Sequence, residues 1–426
     1  MKRLFFSLST AVVLLAASLP LAAQKFLPKT IQFKGAPEYS DQELLNAAGL
    51  KLGTEIAYSE VKSHGQRLLD TELFESFHFT YNGTDLVFAL VPSTNLFPVR
   101  LVNLPLTPGK ELDAALHDRI PLYHGKVPAE GGLLDDVRGA LEKVLAAKGI
   151  KATVVAMPYT DQKLFQVTAM SYAITAPPVQ VGEIRIDGAA APLNPKAKEI
   201  LAKLTGSAYD VVGSPSQIET NLGNYYRDLG YLEAAVHATT QNAPIVAPEA
   251  VHIPFLVSIS SGALYKISGV QLAPDLLVTQ ADFDRQSHIH PGDIADSIRV
   301  RENWDFIESR YHNKGYMKAV VHPFASYDHA QGTVNFVVTV EPGPVYSMGK
   351  LTIQNTAEDL RAAMQSAWKM PAGAVFNQGA AIGYYATQNV NPALERTIAA
   401  SKFIFDIHLN DETHTVDVTL RLERRQ

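Results

Sequence analysis

The sequence predicts an α+β fold made of repeated modules, each with the element order strand, helix, helix, strand, strand. The first observation is a repeat, because Tyr311–His322 matches Tyr226–His237 at six positions. In both stretches, apolar residues at helical spacing precede a glycine, an aromatic residue and a short alternating run. The second observation is Asn82-Gly83 between two apolar runs, a pair that favours a β-hairpin. A repeat of about eighty residues that contains both the helical spacing and the strand alternation of apolar residues predicts a string of small domains.

The N-terminus has the pattern of an export signal. Two basic residues, Lys2 and Arg3, precede an apolar run at Leu4–Leu19, which small residues then close. This pattern predicts a cleaved secretory signal peptide over residues 1–23, and an uncleaved N-terminal anchor is the alternative. No later stretch approaches the roughly 20 apolar residues that a membrane-spanning helix needs.

Composition narrows the class of protein further. The chain contains no cysteine, which excludes a lipid-anchored lipoprotein and a disulfide framework. Loss of the predicted signal peptide takes the formal charge from −6 to −8, because Lys2 and Arg3 leave with it. This mild acidity, spread over both signs, gives no reason to expect nucleic acid or anionic lipid as a partner. A hydrophobic content of 46% is ample for several cores.

Local signals predict the elements of the first two modules. Ser40 followed by Glu43 forms a capping box for the first helix. The predicted elements of module one are a strand at Ile31–Gly35, helices through Leu44, Leu45 and Ala48 and through Val61, Leu68 and Leu69, and strands at Phe77–Thr80 and Leu86–Leu90. Those of module two are strands at Pro98–Asn103, Ala152–Ala156 and Phe165–Ala169, and helices at Lys110–Arg119 and Leu133–Leu145.

Proline-rich seams separate the later modules, with Pro177-Pro178 before the third and Pro342-Gly343-Pro344 before the fifth. The third and fourth modules are predicted to open at Val181–Gly188 and Tyr265–Val270 and to close with strands at Val251–Ser258 and Val334–Val340. The fifth is predicted from a strand at Tyr346–Ile353, a helix with Leu360, Met364 and Trp368, and a strand pair at Phe403–Leu409 and Val416–Leu422. Its middle, residues 379–399, lacks the Tyr-x-x-x-Gly-Tyr pattern that the two repeat stretches share.

These residues resemble the POTRA (polypeptide-transport-associated) domain, a βααββ module of outer-membrane assembly and secretion proteins. The resemblance rests on the opening strand Val181–Gly188, the two Gly-Tyr stretches and the seam at Val340–Ile353. It implies a three-stranded mixed sheet with two helices on one face. The expected division is a signal peptide at 1–23 and POTRA-like modules at 24–95, 96–176, 177–262, 263–342 and 343–426.

The sequence departs from the family pattern in two places. The helix that ends near Leu69 has Glu72 where the family usually has glycine. In addition, five such modules would be followed by a β-barrel in a Bam-type assembly protein, whereas only four residues follow Leu422 here. The charged end of the sequence favours a stand-alone protein over a fragment of a longer one.

The resemblance implies that the second strand of each module lies at an open sheet edge. Such an edge offers unpaired backbone donors and acceptors to an extended segment of another protein. The predicted partner-binding residues are Ala234, Ala235, Val236, His237, Lys318, Ala319, Val320 and Val321. Pro323 removes a backbone donor, so the second of these edges is expected to be guarded or shorter. Packing of both edges against neighbouring modules is the alternative.

The resulting hypothesis is a periplasmic scaffold or docking protein associated with the outer membrane. Its expected partners are an outer-membrane β-barrel protein or assembly-complex subunits, and unfolded barrel clients, with only peripheral contact with the membrane. Neither a cofactor nor a metal is expected, and the sequence contains no Gly-x-Ser-x-Gly, no His-Glu-x-x-His and no phosphate-cradling loop. One alternative is a periplasmic metal-dependent enzyme built on His288, His290, His312, His322 and His329. Another is a passive spacer with stiff proline seams.

Overall fold

The computed structural model describes residues 25–187, 195–241, 243–383 and 401–424. The predicted signal peptide at 1–23 lies outside the described residues, and so does most of the stretch at 379–399. Within the described ranges, no helix combines the length and the apolar character that crossing a membrane requires.

Module one has the predicted strand, helix, helix, strand, strand order. Its elements are β2 (Thr30–Lys34), α1 (Asp41–Ala48), α2 (Tyr58–Leu69), β4 (Phe74–Tyr81) and β5 (Asp85–Pro92), with a two-stranded pair β1 (Lys25–Phe26) and β3 (Ile56–Ala57) beside them. β5 is the central strand, parallel to β2 and antiparallel to β4. The capping box is confirmed, because the Ser40 side chain accepts from the Glu43 backbone and the Glu43 carboxylate accepts from the Ser40 N–H.

Module two adds one short strand to the same plan. Its elements are β6 (Leu96–Leu101), α3 (Lys110–His117), β7 (Lys126–Pro128), α4 (Gly132–Ala147), β8 (Thr153–Asp161) and β9 (Gln166–Ala176). The sheet order is β7-β6-β9-β8, so β7 makes a fourth strand where three were expected. The last strand runs seven residues beyond its predicted end, to the residue before Pro177-Pro178.

Modules three, four and five repeat the order first strand, last strand, second strand across each sheet. The elements of module three are β10 (Val179–Asp187), α5 (Pro195–Leu204), α6 (Gly213–Asp228), β11 (Ala235–Thr240), β12 (Ile245–Val246) and β13 (Val251–Ser260). Those of module four are β14 (Lys266–Leu272), α7 (Gln280–Gln286), α8 (Ser297–His312), β15 (Val320–Asp328) and β16 (Thr333–Glu341). Those of module five are β17 (Ser347–Gln354), α9 (Glu358–Ala367), α10 (Gln378–Ile382), β18 (Ser401–Asn410) and β19 (Thr415–Arg424).

The last strand of a module is central, and its residues alternate between the core and the open face. In module four, Val334, Phe336 and Val338 are buried, whereas Val337 between them is exposed. The helices cover one face only, which is the pattern of a sheet with one solvated side. Trp304 stacks on Phe283 within this core.

By packing, the described residues form two compact units. The first comprises those within 1–186, 199–218 and 238–257, and the second comprises the remainder. Modules one and two belong to the first unit, and modules four and five belong to the second.

A left-handed residue follows the second helix of modules one to four. Glycine occupies it at Gly149, Gly230 and Gly315, with φ of 82°, 94° and 87°. In module one the residue is Glu72, which adopts φ of 58°. Glu72 in place of glycine therefore leaves the turn in place. Its Cβ makes this left-handed conformation sterically unfavourable.

Glu72→Gly is expected to stabilise module one by about 1 kcal/mol, because glycine adopts positive φ without a Cβ clash. Glu72→Ala is the control, since it removes the same carboxylate but keeps the clash. Segment-resolved hydrogen exchange of β4 and β5 measures the difference. Equal protection in the two variants would show that the backbone conformation is not the source of the effect.

Candidate partner-binding edges and module joints

β15 lies at one edge of the module-four sheet, paired only with β16 in the order of that sheet. Val320 is 48% exposed and Phe324 is 61% exposed. The two side chains share one face because their positions differ by an even number of residues. Phe324 lies directly opposite the exposed Val337 of β16. Val320, Phe324 and Val337 thus form a small apolar stripe where the outer edge of the sheet meets its open face.

β11 lies at the corresponding edge in module three. Its first residues border a shallow groove together with the ends of the two other long strands. The residues that line this groove are Asp187, Ala235, Val236, His237, Ser258, Ile259 and Ser260. His237 is exposed, and its Nδ1 lies 3.1 Å from a carboxylate oxygen of Glu219. The groove therefore combines exposed backbone at its edge with a polar pair beside it.

Both edge strands begin later in the chain than the sequence predicted. Ala234 and Ala319 precede the strands, and their side chains are buried. Each donates its backbone N–H to the tyrosine three residues earlier, Tyr231 and Tyr316, so the chain is still turning at these positions. The backbone N–H groups of Ala234 and Ala319 are therefore already used within the turn. The edges begin at Ala235 and Val320 instead.

Pro323 lies within β15, opposite Val338. Proline is tolerated there because the strand is at an edge. The edge is therefore longer than predicted, and proline interrupts its row of backbone donors near the start.

The glycine of the Gly-Tyr repeat forms a joint with the following module. Its carbonyl oxygen accepts from the N–H of the tyrosine that opens that module, at 3.0 Å for Gly230 and Tyr265 and at 2.7 Å for Gly315 and Tyr346. The tyrosine carbonyl then accepts from the backbone N–H two positions before the second helix, Ala295 in one joint and Phe376 in the other. Both tyrosines are almost fully buried. The same backbone contacts thus join module three to four and module four to five.

The hydroxyl of each joint tyrosine donates to a carboxylate that also lies near a basic side chain, and the two joints place the acid on opposite sides. In the first joint, the Tyr265 hydroxyl donates to Glu233 and lies 2.7 Å from Nδ1 of His329. In the second, the Tyr346 hydroxyl donates to Asp411 at 2.7 Å, and Lys318 donates to the same carboxylate at 2.6 Å. The acid lies in the turn of the preceding module in one case and in the hairpin of the following module in the other.

These contacts change the pKa values of the groups involved. The hydrogen bond to Glu233, together with desolvation, raises the pKa of Tyr265 to about 12. The hydrogen bonds from Lys318 and Tyr346 lower the pKa of Asp411. Both shifts favour a neutral tyrosine that donates to an ionised carboxylate at neutral pH.

Lys318, one of the predicted partner-binding residues, is therefore already paired within the chain. Glu233 and Asp411 were not predicted from the sequence, because neither belongs to a recognisable motif. A usable signal was present in the tyrosines, since Tyr265 and Tyr346 both open a module.

The five histidines of module four do not form one cluster of metal ligands among the described residues. His288 and His290 lie in the loop after α7, on either side of the buried Ile289. The others are near different carboxylates, His312 near Glu308, His322 near Glu341 and His329 near Glu233. The H-x-H spacing therefore falls in a solvated turn, and the five rings do not converge on a common site there.

No family model matches the sequence. A structural search finds POTRA domains of known proteins. POTRA domains 3–5 of BamA from Haemophilus influenzae match with 14% identity and a TM-score of 0.44, over 58% of this chain and 96% of that chain. POTRA domains 1–3 of Omp85 from Anabaena match with 18% identity and a TM-score of 0.24, over 59% and 98% of the two chains. CdiB from Acinetobacter baumannii matches with 14% identity and a TM-score of 0.19, over 39% of this chain and 31% of its own.

The modules are POTRA-like. That description rests on their own element order, on the parallel pairing of first and last strands in modules one, two, four and five, and on the second strand at the sheet edge. It agrees with the resemblance seen in the sequence. The division into modules at the exact residues predicted stays a prediction.

Proposed function

We propose that this chain is a periplasmic scaffold or docking protein for outer-membrane protein assembly or transport. It would bind extended segments of clients or of partner subunits by adding them as strands to the sheet edges. The observation that carries the proposal is the repeated position of the second strand, which lies at the edge of every module sheet among the described residues. The signal-peptide pattern at 1–23 supports export.

The apolar stripe on β15 supports a particular kind of segment. An added strand presents alternate side chains to one face of a sheet. Val320, Phe324 and Val337 offer apolar contacts on that face. Transmembrane strands of β-barrels alternate apolar and polar residues, so one side of such a strand would pack on this stripe while the other faces water. The pattern of the edge fits an unfolded barrel strand better than a uniformly polar peptide.

The experiment uses a capped peptide of alternating apolar and polar residues, about the length of β15, and a shuffled peptide of the same composition. Successive N–H groups of an antiparallel edge strand point alternately inward and outward. Of the two variants Val236→Pro and His237→Pro in β11, one therefore removes an N–H that bonds to the neighbouring strand of the same sheet. The other removes an N–H that points away from the sheet. The variant that loses the outward donor is expected to bind the alternating peptide several-fold more weakly, since a hydrogen bond contributes about 0.5–1.5 kcal/mol.

Hydrogen exchange of module three identifies the variant that loses the outward-pointing N–H, because the amides of its sheet keep the protection seen in the parent protein. Val236→Thr keeps the N–H and is expected to bind as the parent protein does. If both proline variants bind the alternating peptide as tightly as the parent, strand addition at β11 is wrong. If the parent binds the shuffled peptide equally well, recognition of an alternating strand is wrong.

A passive spacer is the second candidate. The tyrosine joints favour it, since each combines backbone hydrogen bonds with a buried aromatic ring and would stiffen the second unit. A spacer would show no binding of either peptide to the intact protein. The joints and the edges are separate features, so a protein that is both stiff and peptide-binding would support the scaffold.

A further inference from the structure

Three potential metal ligands converge within the first unit, at the joint of modules one and two. Oε1 of Glu43 lies 3.6 Å from Nε2 of His117 and 3.4 Å from Nε2 of His124. One ligand atom from each residue lies within 4.8 Å of the other two. Glu43 belongs to α1, His117 ends α3, and His124 lies in the turn that follows α3. The group therefore connects two modules.

A contact outside the cluster orients each of the three side chains. The other carboxylate oxygen of Glu43, Oε2, accepts from the Ser40 N–H and hydroxyl at 2.6 and 2.7 Å. Nδ1 of His117 lies 3.0 Å from the carbonyl oxygen of Tyr123, which favours the tautomer with its proton on Nδ1 and a lone pair on Nε2. The ring of Tyr39 packs edge-on against His124, with 4.9 Å between centroids. Such contacts are typical of the groups that orient metal ligands.

The distances fit a metal better than direct hydrogen bonds. A charge-assisted N–H···O bond between histidine and carboxylate is about 2.7–2.9 Å long, and both separations exceed this. Ligand atoms about 2.05 Å from a tetrahedral Zn²⁺ are about 3.3 Å apart, which is close to the separations of 3.6 and 3.4 Å.

The cluster is also reachable from solvent. The side chains of His117 and His124 are 42% and 34% exposed, so an ion and a water molecule can enter. Glu43 is 18% exposed and lies at the base of the group.

We propose that Glu43, His117 and His124 bind one divalent transition-metal ion, with Zn²⁺ the best fit, and that the ion clamps module one to module two. Two imidazole nitrogens and one carboxylate oxygen are a common zinc ligand set, with water in the fourth position. The sequence does not predict this site, because the carboxylate comes from a different module and the two histidines have no standard metal-binding spacing.

The test uses the full mature chain without a polyhistidine tag, stripped of metal with a chelator and titrated with ZnCl₂ by calorimetry. The parent protein is expected to bind one equivalent. Glu43→Gln and His124→Gln are each expected to weaken that equivalent at least about tenfold. Glutamine at position 43 retains the capping box, since glutamine serves at that position as well as glutamate. His78→Gln is the matched control, because His78 is exposed and does not belong to this group of potential ligands, and it is expected to bind like the parent.

A second readout separates a clamp from an incidental site. Zn²⁺ is expected to slow hydrogen exchange in α1 and in the segment from α3 to His124 in the parent, but not in Glu43→Gln. Unchanged exchange in the parent with one equivalent bound would overturn the clamp and leave only a metal site. Absence of a one-to-one equivalent in the parent, or variants that bind as the parent does, would overturn the site itself. Far-UV circular dichroism of each variant checks that the fold is intact.

Discussion

Gly315→Ala is expected to destabilise the joint of modules four and five strongly. A Cβ at this position would lie 2.8 Å from the Tyr346 carbonyl oxygen, 2.8 Å from Cγ1 of Val375 and 3.1 Å from Cγ1 of Val345. The left-handed backbone costs a residue with a Cβ about 1–2 kcal/mol, and overpacking adds about 1–3 kcal/mol. The combined loss is therefore about 2–5 kcal/mol. Hydrogen exchange at the Tyr346 amide, which donates to Gly315, measures it directly.

Gly149→Ala is the matched control for this prediction. Gly149 has a similar φ of 82° after the second helix of module two, but nothing lies within 4 Å of an added Cβ. The Gly149→Ala variant should lose only the backbone component of stability, about 1–2 kcal/mol. Equal losses at the two positions would contradict the conclusion that close packing of the next module requires glycine at position 315.

Tyr346→Ala is expected to destabilise module five by about 3–5 kcal/mol, the range for removing a large buried aromatic side chain. The ring is 1% exposed and packs in the core with Met348, Phe376 and Val416. Tyr346→Phe should cost about 1 kcal/mol, because it removes one hydrogen bond and Asp411 keeps its contact with Lys318. Hydrogen exchange of β17 and β19 provides the comparison, since a chain of several modules does not unfold in one step.

Phe324→Ala is the control for loss of an aromatic ring. Phe324 is 61% exposed on the edge strand, and surface substitutions usually change stability by less than about 0.5 kcal/mol. If Tyr346→Phe proved as damaging as Tyr346→Ala, the hydroxyl contacts with Asp411 would be the main source of stability at this joint. If both were mild, the joint tyrosine would not hold the modules together.

Local sequence signals predicted most of the elements because their causes are local. The capping box at Ser40 and the Asn82-Gly83 hairpin both satisfy backbone groups of neighbouring residues. Alternating apolar residues predicted the last strand pair, and the observed register pairs Phe403 with Leu422 and Leu409 with Val416. Strand ends were less accurate. The second strand of module four begins at Val320, since Ala319 still closes the preceding turn.

Contacts between modules could not be predicted in the same way. The Gly-Tyr repeat was visible, but its role at the joints was not, because the partner tyrosine lies some thirty residues further along the chain in each case. The charge pairs of the joints and the Glu43, His117 and His124 cluster have the same property. Their members come from different modules and carry no spacing rule. The H-x-H pair of module four shows the converse, because suggestive spacing fell in a solvated loop.

The sequence by itself determined the repeating βααββ plan, the placement of helices and strands, and the alternation that buries one face of each sheet. These features follow from backbone conformational preferences and hydrophobic periodicity, which act over a few residues. Only the tertiary structure decided where the sheet edges begin, which side chains join the modules and which histidines meet a carboxylate. Those features depend on distances between residues far apart in the chain, and such distances exist only once the modules have packed together.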